Sequence, residues 1–439
     1  MLEPLKNKSF RYLFAAQVTA LFGTGLATVA LGLLAFDLAG EDAGVVLGTA
    51  FTIKMIAYVG LAPIAAAIAE RLPRRAFLVL LDLVRAGVAV LLPFVDQIWQ
   101  IYLLIFVLQS ASAAFTPAFQ STIPVVLADK QTYTKALSLS RIAYDLENLL
   151  SPTIAGLLLL AVSYHGLFWG TALGFLASTM LILSVSLPAF KPVENQRSLK
   201  RITQGLRIFR HTPRLRGLFA LYLCIAAGGS MVIINTVVIV QGQMGLSAGY
   251  LAGALAAFGG GSMVAALALP QVLEKLSERL VMTTGGAVIV VGLLLGNFVS
   301  GYNTLLALWF VMGLGYSGAQ TPTGRILTRS ANEEDLPAVF AAQFALSHAC
   351  WLLAYPLAGG LGARFGMTTA FSVLALIGLL GILLCLRLWP ADDQEELTHD
   401  HPELAKDDPH MNEGRNVKGH RHTHVFHIDD HHPHWPNKF

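Results

Sequence analysis

Residues 10–38, FRYLFAAQVTALFGTGLATVALGLLAFDL, hold no charged side chain between Arg11 and Asp37. A helix of about 20 apolar residues crosses a hydrocarbon core of roughly 30 Å, so this stretch is long enough to span a bilayer. Runs of the same kind recur as far as Trp389. They set the composition of the 439-residue chain, which is 55% hydrophobic and 13% charged, with a mean hydropathy of +0.61. Soluble domains average about 25% charged residues, so a water-soluble enzyme of this length is excluded. Lys6, Lys8 and Arg11 flank the first run, and no convincing small-residue cleavage site follows, so it is expected to stay in place as a span. Cys224, Cys350 and Cys385 all fall in apolar runs, which argues against a disulfide framework or a thiolate metal cluster.

Working outward, twelve candidate spans follow: 10–38, 45–69, 76–95, 98–126, 136–162, 166–187, 217–241, 249–272, 281–300, 303–324, 336–362 and 367–388. An even number puts both termini on one side. One set of loops carries Arg71, Arg74, Arg75, Lys130 and Lys135, then a cluster from Lys191 to Arg216, then Lys275, Arg279 and Arg329. The opposite set holds only Arg364. Short loops rich in Lys and Arg stay in the cytoplasm, so both termini are expected there.

Sliding the sequence on itself by 204–205 residues aligns its special positions. Glu70-Arg71-Leu72 falls on Glu274-Lys275-Leu276, Thr116-Pro117 on Thr321-Pro322, Ser151-Pro152 on Tyr355-Pro356, and Gly25 on Gly229. Shared order at one offset implies two six-helix halves. The predicted fold is an all-α membrane protein with halves at 1–187 and 217–390. A basic linker, 188–216, joins them and is expected to hold a short amphipathic helix. A disordered His-rich tail, 391–439, is expected to follow. Parallel six-helix repeats with a substrate path between them describe the major facilitator architecture.

Residues 66–75, AAIAERLPRR, resemble the loop motif G-x-L-A-D-R-x-G-R-R of the major facilitator family, with Ala66 and Pro73 in place of the two glycines and Glu70 in place of the aspartate. That resemblance implies a latch made by Glu70 with Arg71, Arg74 and Arg75, mirrored weakly by Glu274 and Arg279. The plainer reading is a basic topology anchor. Arg325 and Arg329 are expected to be anchors as well, with a gate as the alternative for Arg325.

Charges within spans cost at least about 2.5–3.5 kcal/mol on insertion scales, so each asks for a partner or a task. Asp82 and Arg85, three apart, read first as a neutralising pair. Lys54 has no partner at helical spacing, and Asp37 is the candidate. In the fifth span Arg141, Tyr144, Asp145 and Asn148 share a stripe, while Glu147 points elsewhere and suits a proton carrier. His348 and Tyr355 interrupt the eleventh span, and His348 falls on Tyr144 by the repeat offset. Imidazole with carboxylates suits a borderline divalent cation, while a packing role for His348 is the alternative.

Ten of the thirteen histidines lie from residue 399 onward: His399, His401, His410, His420, His422, His424, His427, His431, His432 and His434. In an extended chain i,i+2 side chains share a side, so His420, His422 and His424 can face one ion. The tail therefore indicates transition-metal capture, with Zn, Cu, Ni and Co all chemically suited.

The run TPTGRILTRSANEED (residues 321–335), the segment Ser347-His348-Ala349-Cys350-Trp351 and the string YDLENLLSP (residues 144–152) are similar to the NreB-type nickel exporters of bacteria, and the last also to siderophore-exporting relatives. The resemblance implies proton-driven Ni2+ export, Co2+ included, from the cytoplasm across the inner membrane, giving nickel resistance. The expected partners are the divalent metal ion, protons and the lipid bilayer, with no nucleic acid and no cofactor, and the protein is expected to be a monomer. No nucleotide-binding loop of the form G-x-x-x-x-G-K-[ST] occurs. Two alternatives stand beside it: export of a small organic molecule or metal chelate with the tail as sensor, and a metal receptor that does not transport.

Overall fold

The computed structural model describes residues 3–61, 72–127, 154–185, 198–332, 335–400, 415–418, 421–429 and 431–436, with individual positions between 129 and 151. Helices α1 (Lys8–Ala39), α2 (Ala43–Ile56, continued as a π-turn over Ala57–Leu61), α3 (Arg74–Leu91), α4 (Ile98–Val126) and α5 (Tyr164–Leu183) belong to the first half. Helix α6 (Ser198–His211) is the amphipathic linker helix. The second half holds α7 (Pro213–Val237, then a π-turn over Val238–Gln243), α8 (Ala248–Leu273), α9 (Glu278–Leu295), α10 (Tyr302–Gln320), the short α11 (Thr323–Thr328), α12 (Leu336–Phe365) and α13 (Met367–Leu388). Among the described residues, nine helical stretches are long and apolar enough to cross a membrane, and the first, Lys8–Leu61, is long enough to cross twice. Adding α10 and the helical residues of the fifth span gives the twelve-span layout.

Local chemistry sets the helix ends. Asn7 caps α1 by accepting the Phe10 N–H at 3.0 Å, and Ser277 caps α9 by accepting that of Leu280 at 3.3 Å. Helix α7 starts at Pro213, four residues before the expected start of the second half at 217, because proline suits the first helical turn. Exposed side chains such as Leu80, Leu103, Leu173, Leu267 and Leu376 ring the bundle. An apolar belt of that extent belongs against lipid, and the protein is a multi-pass membrane protein.

The repeat is visible in the backbone. Gly40 and Gly245, 205 residues apart, both turn with positive φ, at 55° and 65°. Short 3-10 turns at Leu92–Phe94 and Gly296–Phe298 are 204 apart. Gly25 lies against Ser151 and Glu147, and Gly229 against Trp351, which is Glu147 plus 204.

Among the described residues, the two halves come into backbone contact at the end away from the termini. A Cβ on Gly48 of α2 would sit 2.9 Å from the Tyr355 carbonyl oxygen of α12, and one on Gly359 would overlap the Gly44 carbonyl. Beside this junction, within the second half, Asn235 of α7 donates to the Ala358 carbonyl at 3.0 Å. The symmetry-related contact places Gly156 against the Ala252 carbonyl of α8, where a Cβ would be 2.9 Å away.

The tail departs from expectation. Strands β1 (Glu396–Asp400), β2 (Arg415–Lys418) and β3 (Arg421–Val425) form an antiparallel sheet in the order β1-β3-β2. Low apolar content pointed to disorder, but Phe426 and Ile428 are buried, and Trp435 and Leu397 pack on the same core. The alternating histidines suit a strand, whose side chains take opposite faces in turn. All three cysteines are buried.

Candidate functional site

Between the halves, α2, α12 and the fifth span bring several polar groups together. Lys54 and Glu147 interact through their charges. This corrects the expected partner of Lys54: Asp37, at the far end of α1, instead accepts a hydrogen bond from the Tyr164 hydroxyl. The Lys54 ammonium lies 5.7 Å from the Phe51 ring centroid and 5.9 Å from that of Tyr58, close enough for cation–π attraction. The Tyr58 ring stacks on the His348 imidazole with centroids 5.3 Å apart and planes 8° apart, and Phe344 lies 3.9 Å from the same imidazole. His348 Nδ1 sits 2.6 Å from the Phe344 carbonyl oxygen. Donation to that oxygen puts the ring proton on Nδ1 and the lone pair on Nε2.

Tyr355 stacks on Phe51 at 5.1 Å and lies within electrostatic reach of Glu147 and Tyr316. Lys54, Glu147, His348 and Tyr355 thus share one region. Sequence spacing singled out these four but missed Tyr58 and Phe344, which follow the usable i,i+4 signal from Lys54 and to His348. Arg141, Asp145 and Asn148 lie outside the described residues.

Asp82 and Arg85 form their pair elsewhere, within α3, buried at 0% and 4% exposure. The Arg85 guanidinium is clasped by Phe115 at 4.1 Å and Phe175 at 4.6 Å.

At the end that carries the tail, Glu278 meets the arginines, whereas the expected acid, Glu274, is exposed. Glu278 pairs with Arg325 at 3.1 Å and Arg329 at 2.8 Å. Glu278 sits in the first turn of α9 and so faces the short α11, whereas Glu274 ends α8. Arg279 donates to the Trp389 carbonyl at 2.8 Å and so caps α13. In the first half, Arg74 and Arg75 begin α3, and Arg75 donates to the Leu183 carbonyl at the end of α5. Glu70 and Arg71 lie outside the described residues.

The tail holds a second site. His399, His422, His424 and His432 present ring nitrogens within 4.8 Å of one another. Register places His399 directly opposite His422, and His424 follows on the same face of β3. His399 Nε2 lies 3.0 Å from Nε2 of both His422 and His432. Three Nδ1 atoms are anchored outward: His399 on the Leu397 carbonyl at 3.0 Å, His424 on the Val425 carbonyl at 2.7 Å, and His432 on Asp429 Oδ1 at 2.8 Å. Those bonds hold the Nδ1–H form, turning the Nε2 lone pairs inward as metal ligation requires.

Burial brings the His399 pKa down to about 3, against the upward pull of its hydrogen bond to the Leu397 carbonyl and with help from the charges of His432, His424 and His422. Burial would raise Asp429. The hydrogen bond and charge of His432, with the backbone N–H groups of His432 and His431, outweigh it and bring the pKa down to about 2. Among the other tail histidines, His427 donates to the Arg329 carbonyl, His431 is exposed, and His434 Nδ1 lies 3.2 Å from His211 Nδ1 of α6. His401, His410 and His420 lie outside the described residues.

Burial lowers the pKa of His211, helped by the charges of His434, Arg210, Arg207 and Arg216. Burial and the Arg214 charge likewise lower His427, against the Arg329 carbonyl and Asp429. A histidine lowered in the docked state contributes stability that is complete above its free value near 6.5 and is lost as pH falls below it. Metal-free tail is therefore expected to loosen from α6 as pH falls below about 6.5. A spin-label distance between L206C and V425C, both exposed sites, should broaden; an unchanged distribution would contradict this.

The family model described as Major Facilitator Superfamily matches residues 13–291 and 261–410. The uncharacterized MFS-type transporter YfiS of Bacillus subtilis (strain 168) is 25% identical over 404 residues, covering 87% of this chain and 95% of that protein. YvqJ of the same organism, also an uncharacterized MFS-type transporter, is 24% identical over 416 residues, covering 89% and 95%. A bacterial homolog of the human lysosomal transporter Spinster, solved in an inward-facing and unoccupied conformation, superposes with a TM-score of 0.66 at 12% identity, covering 88% and 98%. A D-xylose–proton symporter superposes at 0.63 with 14% identity, covering 88% and 98%. At these identities the superpositions establish a common fold.

Proposed function

The chain belongs to the Major Facilitator Superfamily, and from that premise we propose that it exports Ni2+, with Co2+ as a second cargo, from the bacterial cytoplasm across the inner membrane in exchange for protons. Both termini face the cytoplasm in this reading. The observation that carries a metal cargo is the convergence of His348, Lys54 and Glu147 between the halves, and the four-imidazole cluster on the tail supports it only as a sign that the face which the Lys- and Arg-rich loops assign to the cytoplasm meets transition metal. Within the membrane, His348 and Glu147 are the nitrogen and oxygen ligands offered to an entering ion, and borderline divalent metals favour that mixture. Lys54 neutralises Glu147 while the path is empty. An arriving dication displaces that partnership, and a proton taken up from outside by Glu147 or His348 ends it, because ligands bind metal only when deprotonated. Rocking of the halves about this region moves the site from one face to the other.

The test is Ni2+ uptake into inside-out vesicles with and without an imposed pH gradient, with Co2+, Zn2+ and Cu2+ as competitors. Gradient-driven accumulation is expected. His348→Ala is expected to lower it by at least about ten-fold, the lower end of what a lost supporting contact costs a metal site. Absence of flux for every bare ion would sink the reading. The rings of Phe51, Tyr58, Phe344 and Trp351 around His348 and Tyr355 favour a second cargo class, an organic molecule or metal chelate, for which vesicles would take up the organic molecule while moving no bare ion.

A further inference from the structure

We propose that His399, His422, His424 and His432 hold one resident divalent transition-metal ion that is not cargo, and that this ion fastens the tail onto α6, α7 and α11. The decisive contact is between His399 and His432. Each ring commits its proton outward at Nδ1, to the Leu397 carbonyl and to Asp429, yet their Nε2 atoms stand 3.0 Å apart. Two lone pairs at that distance repel unless a proton or a metal ion lies between them, and the convergence of four imidazoles on one point favours the metal. The edge of a tetrahedron built on metal–nitrogen bonds of about 2.0–2.1 Å is roughly 3.3 Å, close to the spacing already present.

Four protein ligands also close the coordination sphere. Structural sites are closed in this way, whereas catalytic sites keep a position open for water or substrate. His422, His432 and His399 are buried at 0%, 3% and 8% exposure, and the Phe426 ring packs on His399 and His432, with Trp435 in turn against Phe426. A site of this kind retains its ion instead of handing it on.

The ligands sit at the ends of the docking contacts. Asp429 orients His432 through its carboxylate, while its carbonyl accepts from Arg207 of α6 at 3.3 Å. Glu395, next to β1, pairs with Arg329 just beyond α11, and its carbonyl accepts the Phe426 N–H at 2.9 Å. Asp393 lies 3.4 Å from the buried Arg214 of α7, whose guanidinium faces the Trp435 ring at 5.3 Å. The ion joins His399, near the start of the tail, to His432, near its end, and so shuts the loop whose two ends grip the linker helix and the second half. The resident ion thereby keeps the tail fastened on the linker helix. The ion and the docking stand on tail geometry alone, and only the consequence for flux rests on the transporter reading.

The full-length protein in detergent, stripped with a chelator, is titrated with Co2+. One equivalent with the intense visible absorption of tetrahedral cobalt is expected, displaced by Zn2+, and the L206C–V425C label distance should sharpen as it binds. Asp429→Asn should weaken binding by roughly 10–100-fold, and His432→Ala should abolish both signals. Glu395→Gln, which leaves every ligand in place, should keep the cobalt spectrum but broaden the distance. Octahedral spectra, no stoichiometric binding, or a distance indifferent to metal would overturn the proposal. In vesicles His432→Ala should still carry Ni2+, and loss of that flux alone would make the tail ion cargo. Wild-type protein that binds cobalt but moves no metal would instead fail the export reading and leave this one standing.

Discussion

Arg85→Leu is expected to destabilise the protein by about 3–5 kcal/mol, the cost of leaving a buried charge without its partner. Asp82 is fully buried, and the Arg85 guanidinium fills the gap between Phe115 and Phe175. Removing the cation therefore strands a carboxylate where neither water nor lipid can solvate it. Asp82→Leu should cost a similar amount from the other side. The double substitution should be milder than either single one, because replacing both members of a buried pair with apolar side chains is often neutral. Thermal unfolding of the four proteins, followed by size-exclusion in detergent, gives the comparison. Single variants no less stable than the double would show that the pair does not hold α3 in place.

Gly359→Val is expected to shift the balance between the two faces of the transporter. The added methyls would be driven into the Gly44 carbonyl, which is backbone and cannot swing aside. Overpacking of this kind costs about 1–3 kcal/mol, so the population closed at this end should fall by roughly 5–150-fold relative to the open one. A distance between labels at E41C and F365C, on facing sides of the junction, should lengthen. Gly360→Ala is the control, because a Cβ there meets nothing within 4 Å. If both variants keep the wild-type distance, the glycine contacts do not govern closure.

What the sequence revealed follows the range of the physics. Span positions, the repeat and the Asp82–Arg85 pair depend on local hydropathy and helical spacing, and all can be read along the chain. Lys54 and Glu147 sit on different helices 93 positions apart, so no spacing rule links them, and Asp37 looked the nearer partner. Glu278 replaced Glu274 for the same reason: α11 had first to be placed opposite α9. Composition misjudged the tail because a sheet of three short strands needs only a few apolar side chains when it can rest on a larger body.

The three cysteines lend themselves to a different use. Cys224, Cys350 and Cys385 lie at 0%, 3% and 0% exposure, so water-borne thiol reagents meet none of them in the folded protein. A single cysteine introduced anywhere on the surface would be the sole fast-reacting thiol. Modification rates along α2 and α12 would then chart which positions gain and lose solvent as the cargo moves, on an otherwise native background.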